Sequence, residues 1–200
     1  MGDQDISALV SSRICHDLIS PIGAISNGVE LLTGSGGPIT PELGLIGDSV
    51  NSATEKLRCF RIAFGAADAG AALPMSEVRN AVSAMFQGRS SVTLTGPDGD
   101  VPRILAKAFL LTLLCQERML PLGGHSRATL LPDGFTIETE ATRQRDISGL
   151  WAVVDTGDMA RDLAPAEVQF LLLGQLLRDR GTQLQRDITP TTITLGLRGL

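Results

Sequence analysis

Ile14-Cys15-His16-Asp17-Leu18-Ile19-Ser20-Pro21-Ile22-Gly23-Ala24-Ile25-Ser26-Asn27-Gly28-Val29-Glu30-Leu31-Leu32 carries apolar residues at Ile14, Leu18, Ile22, Ile25, Val29 and Leu32, in steps of 4, 4, 3, 4 and 3. That spacing is one stripe of an amphipathic helix, extending from about Ile6 to Leu32. Thr33-Gly34-Ser35-Gly36-Gly37-Pro38 ends it, because neither consecutive glycines nor a proline sustains helix. A second stripe follows at Leu43, Ile46, Val50, Ala53, Leu57, Phe60 and Phe64, in alternating steps of 3 and 4, with Thr40 as N-cap and Pro41 at the first helical position. Alternating steps are a heptad seam, and two such helices on a short connection make an antiparallel hairpin. Each helix of ~25 residues is about 38 Å long. A lone hairpin of that length offers too little surface to bury both seams. Two hairpins side by side form a four-helix bundle, so the spacing favours a homodimer.

Beyond the hairpin the pattern changes. The small-residue run Gly65-Ala66-Ala67-Asp68-Ala69-Gly70-Ala71-Ala72 and Pro74 read as a flexible boundary between a helical domain, 1–68, and a second domain, 74–200. In the second, Ser76 caps a short helix to about Gln87, Ser91–Thr95 reads as a strand, and Val101–Leu120 as an apolar helix. Arg127–Leu131 and Gly134–Glu140 form a β-hairpin around Pro132-Asp133-Gly134. Ile147, Leu150, Trp151 and Val154 have helical spacing with Asp146 as N-cap, although Trp151–Val154 followed by Asp155-Thr156-Gly157 also imitates a strand and nucleotide loop. Pro165–Arg180 is a helix closed by Gly181, and Thr182–Arg186 and Thr191–Leu197 are closing strands. The fold class is α+β: a helical hairpin, then helices gathered on one face of a mostly antiparallel sheet.

Composition excludes several classes of function. Over 200 residues, 43% hydrophobic and 20% charged content is ordinary globular usage, so a predominantly disordered chain is excluded. Formal charge of −5, two lysines (Lys56 and Lys107) and 4% aromatics supply neither a basic run nor a stacking platform for nucleic acid. No apolar run approaches the ~18 residues that span a bilayer. The acidic N-terminus is unlike a signal peptide, and Ile6 stands where a myristoylation signal carries Ser or Thr. Cys15, Cys59 and Cys115 are isolated thiols without a CxxC pair or a histidine cluster, as in a reduced cytoplasmic protein without zinc.

Chemistry concentrates at His16. It lies about 200° around the helix from Ile14 and so points away from the seam. Ser12, Ser20, Gly23 and Asn27 share its face, which leaves clearance for another protein to approach the imidazole. An exposed helical histidine is by itself ordinary, but two neighbours give it meaning. Pro21, inside the helix, removes the amide that would bond the Asp17 carbonyl, at a cost of roughly 3 kcal/mol. A helix that keeps such a defect beside an exposed histidine is bent or loosened for function. Asp17 offers a carboxylate that fixes an imidazole tautomer, if a suitable rotamer brings adjacent helical side chains together. Arg13 is the nearest cation able to offset phosphate charge at a protein–protein contact. His125, in a Gly-Gly-His-Ser segment, reads as an exposed loop residue, and the thiols as small packing groups.

The run Arg13-Ile14-Cys15-His16-Asp17-Leu18-Ile19-Ser20-Pro21 and the tail Asn27-Gly28-Val29-Glu30-Leu31-Leu32 resemble the phosphoacceptor helix of bacterial histidine kinases, and most closely the ChpT-type histidine phosphotransferases. Val168-Gln169-Phe170-Leu171-Leu172 adds a fainter likeness. The resemblance implies a dimeric helical hairpin followed by a degenerate kinase-type ATP-binding domain. It also implies a phosphorelay role in which His16 accepts a phosphoryl group from a receiver aspartate and passes it to another receiver, with Asp17 as the adjacent acid. The implied partners are response-regulator receiver domains and a hybrid histidine kinase, with no nucleic acid and no membrane. Ser12, Arg13, Ser20, Pro21, Gly23 and Asn27 would form the docking strip.

A working kinase domain of this type carries an Asn for Mg²⁺ on its long helix, yet Val101–Leu120 holds no Asn. There is no paired Gly-x-Gly lid to bring amides to phosphates, and Met159 stands where the glycine after Asp155-x-Gly157 belongs. Gly34–Gly37 is not followed by Gly-Lys-Ser/Thr and is no P-loop. The expectation is a retained fold without a nucleotide site: no cofactor on this chain, and Mg²⁺ only on the partner receiver. Two alternatives stand beside it, an ATP-dependent autokinase of His16 and a non-enzymatic interaction module with a vestigial histidine.

Overall fold

The computed structural model describes residues 6–35, 40–68, 70–158 and 162–200. Helices α1 (Ile6–Ser35) and α2 (Thr40–Ala63) form the hairpin. Helix α1 continues unbroken through Pro21 and ends at Ser35, three residues beyond the expected stop. Helix α2 begins at Thr40, while the connecting residues 36–39 lie outside the described ones, as does Met159.

The two heptad stripes are each divided between inner and outer rows. Leu18, Ile25 and Leu32 on α1, and Ile46, Ala53 and Phe60 on α2, are buried or half-buried inside the hairpin. Ile22 and Val29 on α1, and Leu43, Val50 and Leu57 on α2, are exposed large hydrophobics. A period of seven therefore runs through both rows, and one row is left open among the described residues.

The chain then forms β1 (Ala72–Pro74), α3 (Met75–Met85), β2 (Ser90–Thr95), β3 (Asp100–Pro102) and α4 (Arg103–Glu117). It closes with β4 (Gly124–Leu131), β5 (Gly134–Glu140), α5 (Ser148–Thr156), a 3₁₀ turn at Pro165–Glu167, α6 (Val168–Arg180), β6 (Gln185–Ile188) and β7 (Thr192–Arg198). The main sheet has the order β2-β4-β5-β7-β6, with β2–β4 parallel and the remaining pairs antiparallel. Ala128, Leu130, Phe135, Ile137, Ile193, Leu195 and Leu197 point from the sheet into the helices. Phe109 of α4 meets Phe135 edge-on at 5.5 Å between ring centroids, and Trp151 of α5 meets Phe170 of α6 at 5.5 Å. Full burial of each such side chain stabilises by about 1.5–3 kcal/mol. Gly174 lets α5 approach α6 closely, since a Cβ there would lie 2.7 Å from the carbonyl oxygens of both Val153 and Val154.

Several boundaries differ from the sequence reading for local reasons. Ser76 does not cap α3, which starts at Met75 with Pro74 before it, because the Met75 amide is taken by the Gly99 carbonyl at 2.8 Å. Val101 belongs to β3, paired antiparallel with β1, and α4 starts after Pro102. Asp146 stands one residue outside the α5 cap, its Oδ1 accepting the Ser148 amide at 2.9 Å. His125 is a residue of β4 rather than a loop, with Nδ1 2.9 Å from Ser91 Oγ and Nε2 3.2 Å from Thr93 Oγ1.

The segment read as a flexible boundary is tied down at its start. Arg103 donates to the carbonyls of Ala66 and Arg61 at 2.7 and 3.0 Å, and Lys107 to that of Gly65 at 2.8 Å. Leu9, Cys59, Ile62 and Ala63 join the hydrophobic core of the sandwich. The base of the hairpin and the sandwich thus share one packed interior.

Candidate functional site

Helix α1 presents His16 outward, with 78% of its side chain exposed. Ser12, Ser20, Gly23 and Asn27 are exposed on the same face, and nothing lies within 4 Å of a Cβ built on Gly23. Ile19, one turn on from His16, is 69% exposed. Ile19 joins Ser12, Ser20, Gly23 and Asn27 on this face, where its i, i+3 relation to His16 places it.

His16 Nδ1 lies 3.0 Å from Asp17 Oδ1, so the rotamer needed to join two adjacent helical residues is adopted. A carboxylate only accepts. This contact therefore places the ring proton of neutral His16 on Nδ1 and leaves the Nε2 lone pair facing solvent. Asp17 is held in turn. Its Oδ2 accepts from Arg13 Nε at 2.7 Å, an i, i+4 pair in which both side chains are largely covered.

Arg13 also donates through Nη1 to the Ala166 carbonyl at 3.1 Å, and the same carbonyl accepts from Gln169 Nε2 at 2.9 Å. Gln169 is fully buried and leans on the Leu114 carbonyl of α4 at 3.4 Å. A continuous chain of hydrogen bonds therefore runs from the sandwich through Ala166, Arg13 and Asp17 to the His16 ring. The Val168–Leu172 segment singled out in the sequence contains the Gln169 that anchors it.

Two expectations are corrected here. Arg13 is only 8% exposed and committed to Asp17 and Ala166, so its guanidinium is internal wiring rather than a free cation for a visiting phosphate. Pro21 is buried and is not on the open strip. Its ring faces inward because α1 turns that side toward its neighbours.

Beneath the dyad is a cluster that the sequence did not disclose. Arg13, Arg89, Glu117, Arg118 and Arg145, from four separate segments, line a cavity of about 290 Å³. Burial raises the Glu117 carboxyl above the ordinary carboxylate range; Asp17 adds to the rise, while Arg13, Arg118 and Lys56 oppose it. A carboxyl raised on folding binds its proton more tightly in the native state, so its stabilisation is complete at low pH and declines as pH rises through the raised value. Glu117→Gln is expected to be more resistant to denaturant than the wild type at neutral pH, with the advantage vanishing below the ordinary carboxylate range. Urea midpoints measured across that span check this, and equal midpoints at neutrality would contradict it.

The Asp155-Thr156-Gly157 turn is held by structural contacts. Both Asp155 carboxylate oxygens accept from Arg186 Nη2, at 2.7 and 2.8 Å, and Arg186 lies 5.2 Å from the Trp151 ring centroid. Gly157 is the left-handed C-cap of α5. On α4, Arg103 and Lys107 staple the hairpin base, and Gln116 donates to Ser126 and Thr139 in the interior.

Comparison with known proteins gives this geometry a family. Protein phosphotransferase ChpT of Brucella abortus (strain 2308) is 39% identical over 122 residues, 60% of this chain and 58% of that protein. The matched region thus spans less than two thirds of the relative's length. A solved bacterial phosphotransferase superposes with a TM-score of 0.80 at 28% identity, covering 99% of this chain and 98% of that one. The model of the histidine phosphotransferase C-terminal domain matches residues 75–192, more than half of the sequence. The chain belongs to the histidine phosphotransferase C-terminal domain family.

Proposed function

We propose that this protein is a histidine phosphotransferase of a bacterial phosphorelay, acting as a homodimer in the cytoplasm and carrying a phosphoryl group between receiver aspartates on His16. The supporting observation is the exposed imidazole whose Nδ1 is engaged by Asp17 while Nε2 is open. The Nε2 lone pair attacks the phosphorus of a receiver acyl phosphate. The N–P bond forms as the P–O bond to the aspartate breaks, and the aspartate leaves as carboxylate. The ring becomes cationic, and the Asp17 carboxylate, held by Arg13, stabilises that charge. A second receiver aspartate reverses the step.

Catalysis is chiefly positioning, with Mg²⁺ supplied by the receiver. The strip of Ser12, Ile19, Ser20, Gly23 and Asn27 is the receiver contact, its small residues giving clearance and Ile19 an apolar anchor. Helices 1–68 form the dimerisation and phosphotransfer domain, and 74–200 the supporting sandwich that holds Arg13.

ATP has no place in this cycle. Asp155, the acid of the loop-like Asp155-Thr156-Gly157 run, is paired with Arg186, and the α4 side chains Arg103, Lys107 and Gln116 are engaged in internal contacts. Incubation with a ³²P-labelled phospho-receiver is expected to label the protein in an acid-labile, base-stable form, and Mg·[γ-³²P]ATP is expected to leave it unlabelled. Label taken from ATP would make it a kinase; label from neither donor would make it an interaction module.

A further inference from the structure

Pro21 has no amide, so within α1 the carbonyl of Asp17 lacks its i+4 donor. That gap falls on the residue that orients His16. The structure fills it from the other helix: Lys56 of α2 donates through Nζ to the Asp17 carbonyl oxygen at 3.3 Å. Lys56 is half-buried and is one of only two lysines in the chain. The other, Lys107, likewise donates to a backbone carbonyl, that of Gly65.

We infer that Lys56 is a positioning residue for phosphotransfer, its ammonium standing in for the amide that Pro21 lacks and holding the Asp17 peptide so that the carboxylate meets both His16 and Arg13. The inference rests on His16 being the phosphoacceptor. A helical peptide without its i+4 bond tilts toward any available donor, water included. Tilting the Asp17–Leu18 peptide swings the Asp17 side chain, whose two oxygens must stay 3.0 Å from His16 Nδ1 and 2.7 Å from Arg13 Nε. The Asp17 carboxylate is committed to those two partners, which leaves its carbonyl as the acceptor Lys56 uses. The lysine thus acts through the backbone, without touching the ring or the phosphoryl group.

A double-mutant cycle tests this, because Pro21→Ala restores the missing amide. Lys56→Met alone is expected to lower the rate of transfer from a saturating phospho-receiver about tenfold, consistent with leaving a half-buried carbonyl unsatisfied, with the KM for the receiver little changed. Lys56→Arg, which keeps a donor, is expected to restore most of that rate. In the Pro21→Ala background Lys56→Met is expected to have no further effect, since the backbone then supplies the amide itself. Should Lys56→Met alone unfold, the double variant is expected to fold. An equal loss in both backgrounds, failure of the double variant to fold, or wild-type transfer by Lys56→Met would each overturn the inference. Absence of label on His16 in the wild-type protein would instead overturn the functional reading beneath it.

Discussion

Replacement of His16 by alanine is expected to reduce acceptance of label from a phosphorylated receiver to the background of spontaneous hydrolysis, while the protein stays folded and dimeric. His16 is 78% exposed and its ring is engaged by the Asp17 carboxylate, so removing the ring opens no cavity and leaves no buried donor unpaired. The loss is chemical: no other described histidine lies on this face, since His125 is held on the sheet by Ser91 and Thr93. Asp17→Asn in the same assay separates nucleophile from orienter. Asparagine retains an acceptor oxygen but loses the charge that stabilises the cationic phosphohistidine. A decrease of about a hundredfold is expected, at the lower end of what a positioned acid–base partner contributes. Gel transfer assays with one phospho-receiver preparation measure both variants. Undiminished labelling of His16→Ala would move the phosphoacceptor elsewhere and dismantle the mechanism.

Val50→Glu is expected to dissociate the proposed dimer. Leu43, Val50 and Leu57 are spaced seven apart along α2, and Ile22 and Val29 seven apart along α1. All five are exposed in the single chain, whereas the companion rows three or four residues away are buried or half-buried. Burial of the open rows against a symmetry-related copy would complete the proposed four-helix bundle. A glutamate at the centre of that row would put one unpaired carboxylate from each subunit into the interface, a cost of several kcal/mol per dimer. Weakening of the dimer by at least about a thousandfold is expected, corresponding to ~4 kcal/mol. Sedimentation equilibrium measures it. A wild-type protein that sediments as a monomer, or a Val50→Glu protein that remains dimeric at micromolar concentration, would show that another surface pairs the subunits or that none does.

The split of the heptad stripe marks where local pattern stops being informative. Steps of 3 and 4 locate the apolar side of a helix, but Leu18 and Ile22 belong to the same stripe while only Leu18 packs inside the hairpin. The sharing is set by how far two helices overlap, which periodicity does not encode. The β-strand boundaries show the same limit. Val101 looks like the start of an apolar helix until β1 approaches to pair with it, and His125 looks like a loop residue until β2 comes alongside as a parallel neighbour. Long-range hydrogen bonds override local preference at both places.

The exposed imidazole and its adjacent acid were legible because their geometry is local. His16 and Asp17 are neighbours in the chain, the helical period sets which way the imidazole faces, and the absence of an amide at Pro21 is a covalent fact. What holds them was not legible. Arg13 reads as a surface cation, and it is the closure of the sandwich against α1 that brings the Ala166 carbonyl to it. Lys56 lies 39 residues from Asp17, and the arginines around the Glu117 cavity are scattered from Arg13 to Arg145. A hydrogen bond needs its partners within about 3 Å, and only the packing of the folded chain brings residues this distant in sequence so close.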